Sequence, residues 1–212
     1  MVQGWIEDGV LAMRKLASPS VQLFVTEEEI FLYDMTEQIL SNESIHQGNI
    51  SPPPIVGEFP KVEHDLWNQA SIAAKWLHRQ GYRGTASVDF LVVERERRIE
   101  TIVCEINARV TGATYPALLA RHFNPKGTWL MRNIGFRNPI EGLELLALMD
   151  RAGVLFHAHS SAGIIPFNFN TDGEGRVLKG QFVCVADNFD ICSDLLTRAW
   201  TRLPVEWNYD RD

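Results

Sequence analysis

Two β-rich runs, Thr85 to Val93 and Ile99 to Asn107, flank the charged stretch Glu94-Arg95-Glu96-Arg97-Arg98. Five charges of mixed sign between apolar runs read as a solvated hairpin tip. Side chains alternate along a strand, so Ser87, Asp89, Leu91 and Val93 fall on one face of the first run. On the second run Val103, Glu105 and Asn107 share a face, and Arg109 continues the alternation beyond it. The opposite faces carry Val88, Phe90 and Val92 with Ile102, Cys104 and Ile106, which can fill a core. The hairpin is therefore expected to be half-buried, apolar behind and acidic in front.

That front is a candidate for chemistry. Asp89 and Glu105 supply carboxylates and Asn107 an amide oxygen, hard ligands of the kind Mg²⁺ takes while keeping other positions for water and phosphate. Arg109 can hold phosphate or carboxylate oxygens with two parallel hydrogen bonds. Alternating acids on a strand are more often simply its solvent face, and spacing alone does not settle the matter.

The remaining chain sets the frame. Val21 to Val25 and Ile30 to Tyr33 form a second hairpin around Thr26-Glu27-Glu28-Glu29. Residues 41 to 60, with Gly48, Gly57 and three consecutive prolines, read as a mostly exposed loop. Leu66, Ala70, Ala73, Ala74 and Leu77 recur at helical spacing over His64 to Gln80, and Gly81 supplies the stop. Pro116 starts a helix to about Phe123, and Pro139 opens another through Ala152. Strands are expected at Val154 to His159, Ile164 to Asn170 and Val177 to Val185, and a closing helix from about Ile191 to Trp200. Hairpins with helices between them imply an α+β fold, a mainly antiparallel sheet with flanking helices.

Composition narrows the partners. A formal charge of −7 argues against nucleic acid, whose backbone needs clustered Lys and Arg. No stretch approaches the ~20 apolar residues of a membrane span. Three cysteines at no metal-ligand spacing, in an acidic chain without a leader, point to packed thiols and a cytoplasmic setting. His157 and His159 share a strand face but lack a third ligand, so they read as surface or packed histidines.

Three segments in order resemble the ATP-grasp superfamily: Gly81-Tyr82-Arg83-Gly84 with Ser87 to Val92, Cys104-Glu105-Ile106-Asn107-Ala108-Arg109, and Thr111-Gly112-Ala113-Thr114. Ser18-Pro19-Ser20-Val21-Gln22 and Thr36-Glu37-Gln38-Ile39-Leu40 resemble its carboxylate–amine and peptide ligases. The resemblance implies Mg²⁺ (Mn²⁺ as a substitute) held by Asp89, Glu105 and Asn107, between ATP phosphates. It implies contact of Arg109 with the acyl phosphate or acceptor, small carboxylate and amine substrates, and the C-terminal ATP-grasp subdomain as the fold. On the same basis Gln3, Trp5 and Ile6, in a hinge strand at residues 1–6, would lie against the nucleotide with Gln22 and Leu91. Gln38, Thr111, Gly112 and Thr114 would approach the substrate, where amides at a helix start favour an anion.

The expected division is an ATP-grasp subdomain over residues 1–135 and an extension over 136–212 on the same sheet. The superfamily's nucleotide-clamping lysines and Gly-rich lid have no counterpart before residue 81. That half is expected in cis or trans, with the chain alone inactive and a homo-oligomer compatible with its open cleft. Alternatives are a biotin-carboxylase-like enzyme using bicarbonate, and a non-catalytic or complementing subunit.

Overall fold

The structure is a computed structural model and describes residues 13–40 and 46–206. Gln3, Trp5 and Ile6 of the expected hinge lie outside the described residues. The chain divides into two compact units, one of residues 1–38 and 51–115 and the other of residues 39–50 and 116–212. The expected division after residue 135 falls inside a strand of the second unit.

In the first unit, β1 (Met13–Ala17) and β2 (Pro19–Val25) lie end to end along one edge of β5 (Gly84–Arg95). The other edge of β5 takes β6 (Arg98–Asn107), and β3 (Ile30–Leu40) pairs with β2, every pairing antiparallel. The β5–β6 tip turns through Glu96 and Arg97, both at positive φ (50° and 63°). That backbone matches the twist of tight hairpins, and the charged side chains stay in water.

Behind this sheet runs α2 (Pro60–Arg79), preceded by the short α1 (Pro54–Glu58). Val62, Leu66, Ala70, Ala73, Ala74 and Leu77 form the apolar stripe of α2. The stripe meets Val21, Leu23, Val25, Ala86, Val88, Phe90 and Val92, all buried, in one core. The small alanines of α2 let its backbone approach the sheet, and Gln69 reaches across to the Thr101 hydroxyl (2.6 Å). The sheet's front face is thereby left free for polar groups.

The second unit holds β4 (His46–Ser51), β7 (Thr128–Ile140), β8 (Gly163–Thr171), β9 (Val177–Ala186) and the two-residue β10 (Val205–Glu206). Strand β9 lies between β7 and β8, while β4 and β10 pair with β7. Helices α4 (Gly142–Arg151) and α5 (Phe189–Arg202) enclose a core of Leu145, Met149, Phe182, Cys184 and Leu196. The chain enters this unit a last time through α3 (Thr114–Phe123). The fold class is the expected one: α+β, mainly antiparallel, with five flanking helices among the described residues.

Three local expectations fail. Residues 41–60 are not a mostly exposed loop, because Gln47, Asn49, Ile50 and Ser51 are buried in β4. Val154 to His159 forms no strand; only Leu155 makes an isolated bridge, to Ile164. Pro139 does not open a helix but sits near the end of β7, and α4 begins at Gly142. Among the described residues no helix is long and apolar enough to cross a membrane.

Candidate functional site

The front face of the first unit is built by register. Asp89 stands opposite Glu105, and Ser87 opposite Asn107. On the other edge of β5, Ser20 stands opposite Asp89 and Gln22 opposite Ser87. Because paired residues point to the same side of a sheet, these six side chains form one polar row. Three of the expected metal set are thus adjacent, and Arg109 follows on the loop after β6.

Asp89 is the centre of this row. Its Oδ1 accepts from Ser20 Oγ (2.6 Å) and, at 3.4 Å, from Ser87 Oγ, while its Oδ2 accepts from Asn107 Nδ2 (2.9 Å). Burial raises its pKa; the Ser20 hydroxyl opposes that, and the charge of Glu105 raises it further. Arg109 acts in the opposite sense, as a positive charge within electrostatic reach of Asp89. Like charges directly opposite on a sheet cost stability, and a cation between them removes the cost.

Whether this donor set suits a metal can be judged from its chemistry. Among the described residues no group of three or more His, Cys, Asp and Glu is gathered to hold an ion. Asp89 and Glu105 offer two carboxylates, and Asn107, 6% exposed, keeps its amide oxygen. That is too few for a closed all-protein cage but suits Mg²⁺, which keeps water and phosphate oxygens as its other ligands.

The loop from Ala108 to Ala113 joins this row to α3. Arg109 is exposed, and its Nη1 donates to the Val110 carbonyl (3.2 Å). Thr111 N–H donates to Thr114 Oγ1 (3.0 Å), and Thr111 Oγ1 reaches Gln22 Oε1 (3.4 Å). Gly112 is exposed and Thr114 buried, so the turn of small residues stands at the start of α3 with one side open to solvent. Leu91 is half-buried on the Asp89 face. Gln38 is half-buried in β3, its N–H donating to the Ser18 carbonyl (3.5 Å).

No family model matches the chain. A butirosin acyl-carrier protein–L-glutamate ligase from Niallia circulans is 33% identical over 95 residues, 44% of this chain and 21% of that enzyme. Among solved structures, N5-carboxyaminoimidazole ribonucleotide synthetase from Thermus thermophilus is similar with a TM-score of 0.59 at 14% identity. The match covers 93% of this chain and 53% of that one. The biotin carboxylase domain of Hydrogenobacter thermophilus 2-oxoglutarate carboxylase, in complex with MgADP and bicarbonate, also gives 0.59, at 10% identity over 90% of this chain and 46% of that one. The chain has an ATP-grasp fold. It spans about a fifth of the ligase and about half of the solved structures it matches.

Within the ATP-grasp sheet, one strand departs from simple alternation. The β5–β6 register shifts between Asp89 and Phe90, so Glu105 opposes Asp89 while Val103 opposes Phe90, leaving Cys104 as the extra residue. The shift reverses the alternation, and Cys104, expected among the core residues, is exposed. Burial of its surroundings and the charge of Asp89 both push its thiol pKa up, so it favours the neutral form. Thr101 takes the place behind the sheet, against Gln69. Cys184 and Cys192 are buried as expected.

Sequence reasoning also assigns no chemical role to Ser20 or Asp34. Ser20 is detectable, since Ser20 and Gln22 alternate on a strand that pairs with β5. Asp34, 3% exposed, lies opposite Gln22 and accepts from Ser51 Oγ (2.7 Å) and from Met35 N–H (2.8 Å). Its partner Ser51 lies in the segment that reads locally as a loop.

Glu37, next to Gln38, is a separate titrating group. One carboxylate oxygen accepts the Ser18 N–H, and the other is buried with no hydrogen-bond partner. Burial raises its pKa to about 7, against the opposing effects of the Ser18 amide and Lys15. A raised carboxylate pKa means the folded state holds the proton more tightly. The resulting stability is therefore full below the unfolded value near 4.5 and is lost as pH rises through about 7. Glu37→Gln is expected to flatten that slope and to raise stability at pH 8 by on the order of 2 kcal/mol. Urea denaturation at pH 5 and pH 8 measures this, and equal slopes for both proteins would refute it.

Proposed function

We propose that the chain carries the metal-binding and acceptor half of an ATP-dependent carboxylate–amine ligase that works through an acyl phosphate. The observation that supports it most is the register placing Asp89 against Glu105, with Asn107 and Ser87 the next pair along the same face. The ATP-grasp fold and the partial likeness to a ligase joining L-glutamate to an acyl-carrier protein support the same reading.

In this reading Asp89, Glu105 and Asn107 would hold Mg²⁺, which when bound would supply positive charge beside the ATP phosphates. The residues around it do the positioning. Ser20 and Asn107 fix both Asp89 oxygens, so the carboxylate does not reorganise as charge moves. Exposed Arg109 is the donor for the acyl phosphate, and the turn of Thr111, Gly112 and Thr114 at the start of α3, with Gly112 as its exposed side, orients the acceptor carboxylate. Leu91 lies toward the adenine and Gln38 toward the substrate. Phosphoryl transfer of this kind depends mainly on such positioning and on electrostatic stabilisation.

The test is hydroxylamine trapping in the intact protein, because an acyl phosphate and hydroxylamine give a hydroxamate. With ATP, Mg²⁺ and a panel of carboxylates that includes L-glutamate, hydroxamate is expected to form and to require all three components. ADP release without hydroxamate from any carboxylate would overturn the acyl-phosphate reading. The absence of Mg²⁺-dependent ADP release would overturn the ligase itself.

A further inference from the structure

Gln22 is fully buried (0% exposed) in the middle of the polar row, and both ends of its amide are engaged by side chains. Its Nε2 donates to Ser20 Oγ at 2.9 Å, and its Oε1 accepts from Thr111 Oγ1 at 3.4 Å. Ser20 Oγ in turn donates to Asp89 Oδ1 at 2.6 Å. At the other end Thr111 Oγ1 lies 3.2 Å from Thr114 Oγ1.

Proton counting gives this chain one direction. A hydroxyl has a single proton, and that of Ser20 goes to the carboxylate, so Ser20 can only accept from Gln22. The Gln22 amide is therefore held with its nitrogen toward Ser20; the flipped amide would set two acceptors against each other. Thr111 gives its proton to Gln22 and so accepts from Thr114. Every donor from α3 to β5 points toward Asp89, an arrangement in which each bond polarises the next.

We propose that Gln22 is a positioning residue: it ties the Thr111–Thr114 turn, with Arg109 two residues ahead of it, to the Asp89 carboxylate through Ser20. This rests on the ligase reading above and extends it. The sequence suggests a nucleotide contact for Gln22, but an enclosed side chain with both ends partnered acts through its neighbours. Its work is to keep the acceptor loop and the metal carboxylate in one geometry, where a displacement of about 1 Å costs roughly 100-fold in rate.

The test compares Gln22→Met, which keeps length and removes both bonds, with Thr111→Val, which cuts the chain from the exposed loop, in the intact protein. Each is expected to lower kcat for Mg²⁺-ATP-dependent turnover about 10- to 100-fold, with KM for ATP changed less than about 3-fold. The double variant is expected to be no slower than Gln22→Met alone, because both cut the same chain. Hydrogen exchange is expected to quicken at residues 109–114 and not in β2 or β5. A raised KM for ATP with kcat retained would overturn the proposal in favour of direct nucleotide contact. Additive losses, or unchanged exchange in the loop, would overturn it as well. If Gln22→Met does not fold, Thr111→Val with its exchange pattern decides alone. Wild-type protein without Mg²⁺-ATP turnover would instead refute the ligase reading on which the proposal rests.

Discussion

Asp89→Asn is expected to cut ATP-dependent turnover of the intact protein by roughly 100- to 1,000-fold, the loss typical of removing one preorganised electrostatic group from a transition state. The substitution keeps shape and removes charge. One of its two terminal atoms becomes an NH₂ group, facing either Ser20 Oγ or Asn107 Nδ2, both of which now donate to the carboxylate. A metal would therefore lose a charged ligand and the row would lose its common acceptor. The fold should not suffer in proportion. Burial and the opposing Glu105 already penalise the ionised form of Asp89, so neutralising it relieves a repulsion while sacrificing a hydrogen bond. Functional carboxylates held at a cost to stability behave in this way. The expected signature is a melting temperature equal to or above that of the wild type, weakened binding of Mn²⁺ as a paramagnetic probe, and lost turnover. Glu105→Gln, at an exposed position, should give the same pattern more weakly. Turnover unchanged at saturating Mg²⁺ in both variants would remove the metal assignment.

The physical reason the central hairpin is legible is that two strong local signals coincide there. Period-two alternation of apolar and acidic residues fixes the faces, and a mixed-charge run fixes the turn. Strand pairing in a hairpin then follows from sequence proximity, which brings the Asp89 and Glu105 stretches together. The register counted from the tip would nevertheless set Asp89 against Cys104, and only the shift there puts Glu105 opposite it. The resemblance adds the expected roles, and the structure bears out the fold that the resemblance implies.

What escapes has equally specific causes. The register shift at Cys104 is invisible to alternation, because one inserted residue reverses every face beyond it and leaves no mark in composition. Strand β4 escapes because Gly48 and the prolines that follow it look like loop chemistry, although Gln47 and Asn49 are buried there. Strand β7 ends in Arg137-Asn138-Pro139-Ile140, where a proline tolerated at a strand end mimics a helix start. Val154 to His159 has strand-like composition but finds only one bridging partner, Ile164. The relay through Gln22 depends on β2 lying against β5, more than 60 residues away in sequence, and no local pattern carries that pairing.

Gly48→Ala is expected to destabilise the unit formed by residues 39–50 and 116–212 by about 3 kcal/mol or more, the range reached when a rigid core is overpacked. The backbone of Gly48 needs no unusual torsion; the obstacle is space. A Cβ at this position would stand 2.0 Å from the Met131 carbonyl oxygen and 3.1 Å from its carbon. Neither contact can be relieved by rotating a side chain, because both atoms are backbone of β7, whose residues 128–135 are paired with β9 on the other edge. Strand β4 must therefore move away, and with it go the buried positions Gln47, Asn49 and Ile50. A control separates this from the general cost of adding a methyl group. Gly142, at the first position of α4, has nothing within 4 Å of an added Cβ, so Gly142→Ala should be neutral or slightly stabilising through the lower entropy of the unfolded chain. Urea denaturation of the two variants beside the wild type provides the measurement. If Gly48→Ala melts with Gly142→Ala, β4 does not approach β7 as closely as the structure has it, and the burial of residues 46–51 falls with it.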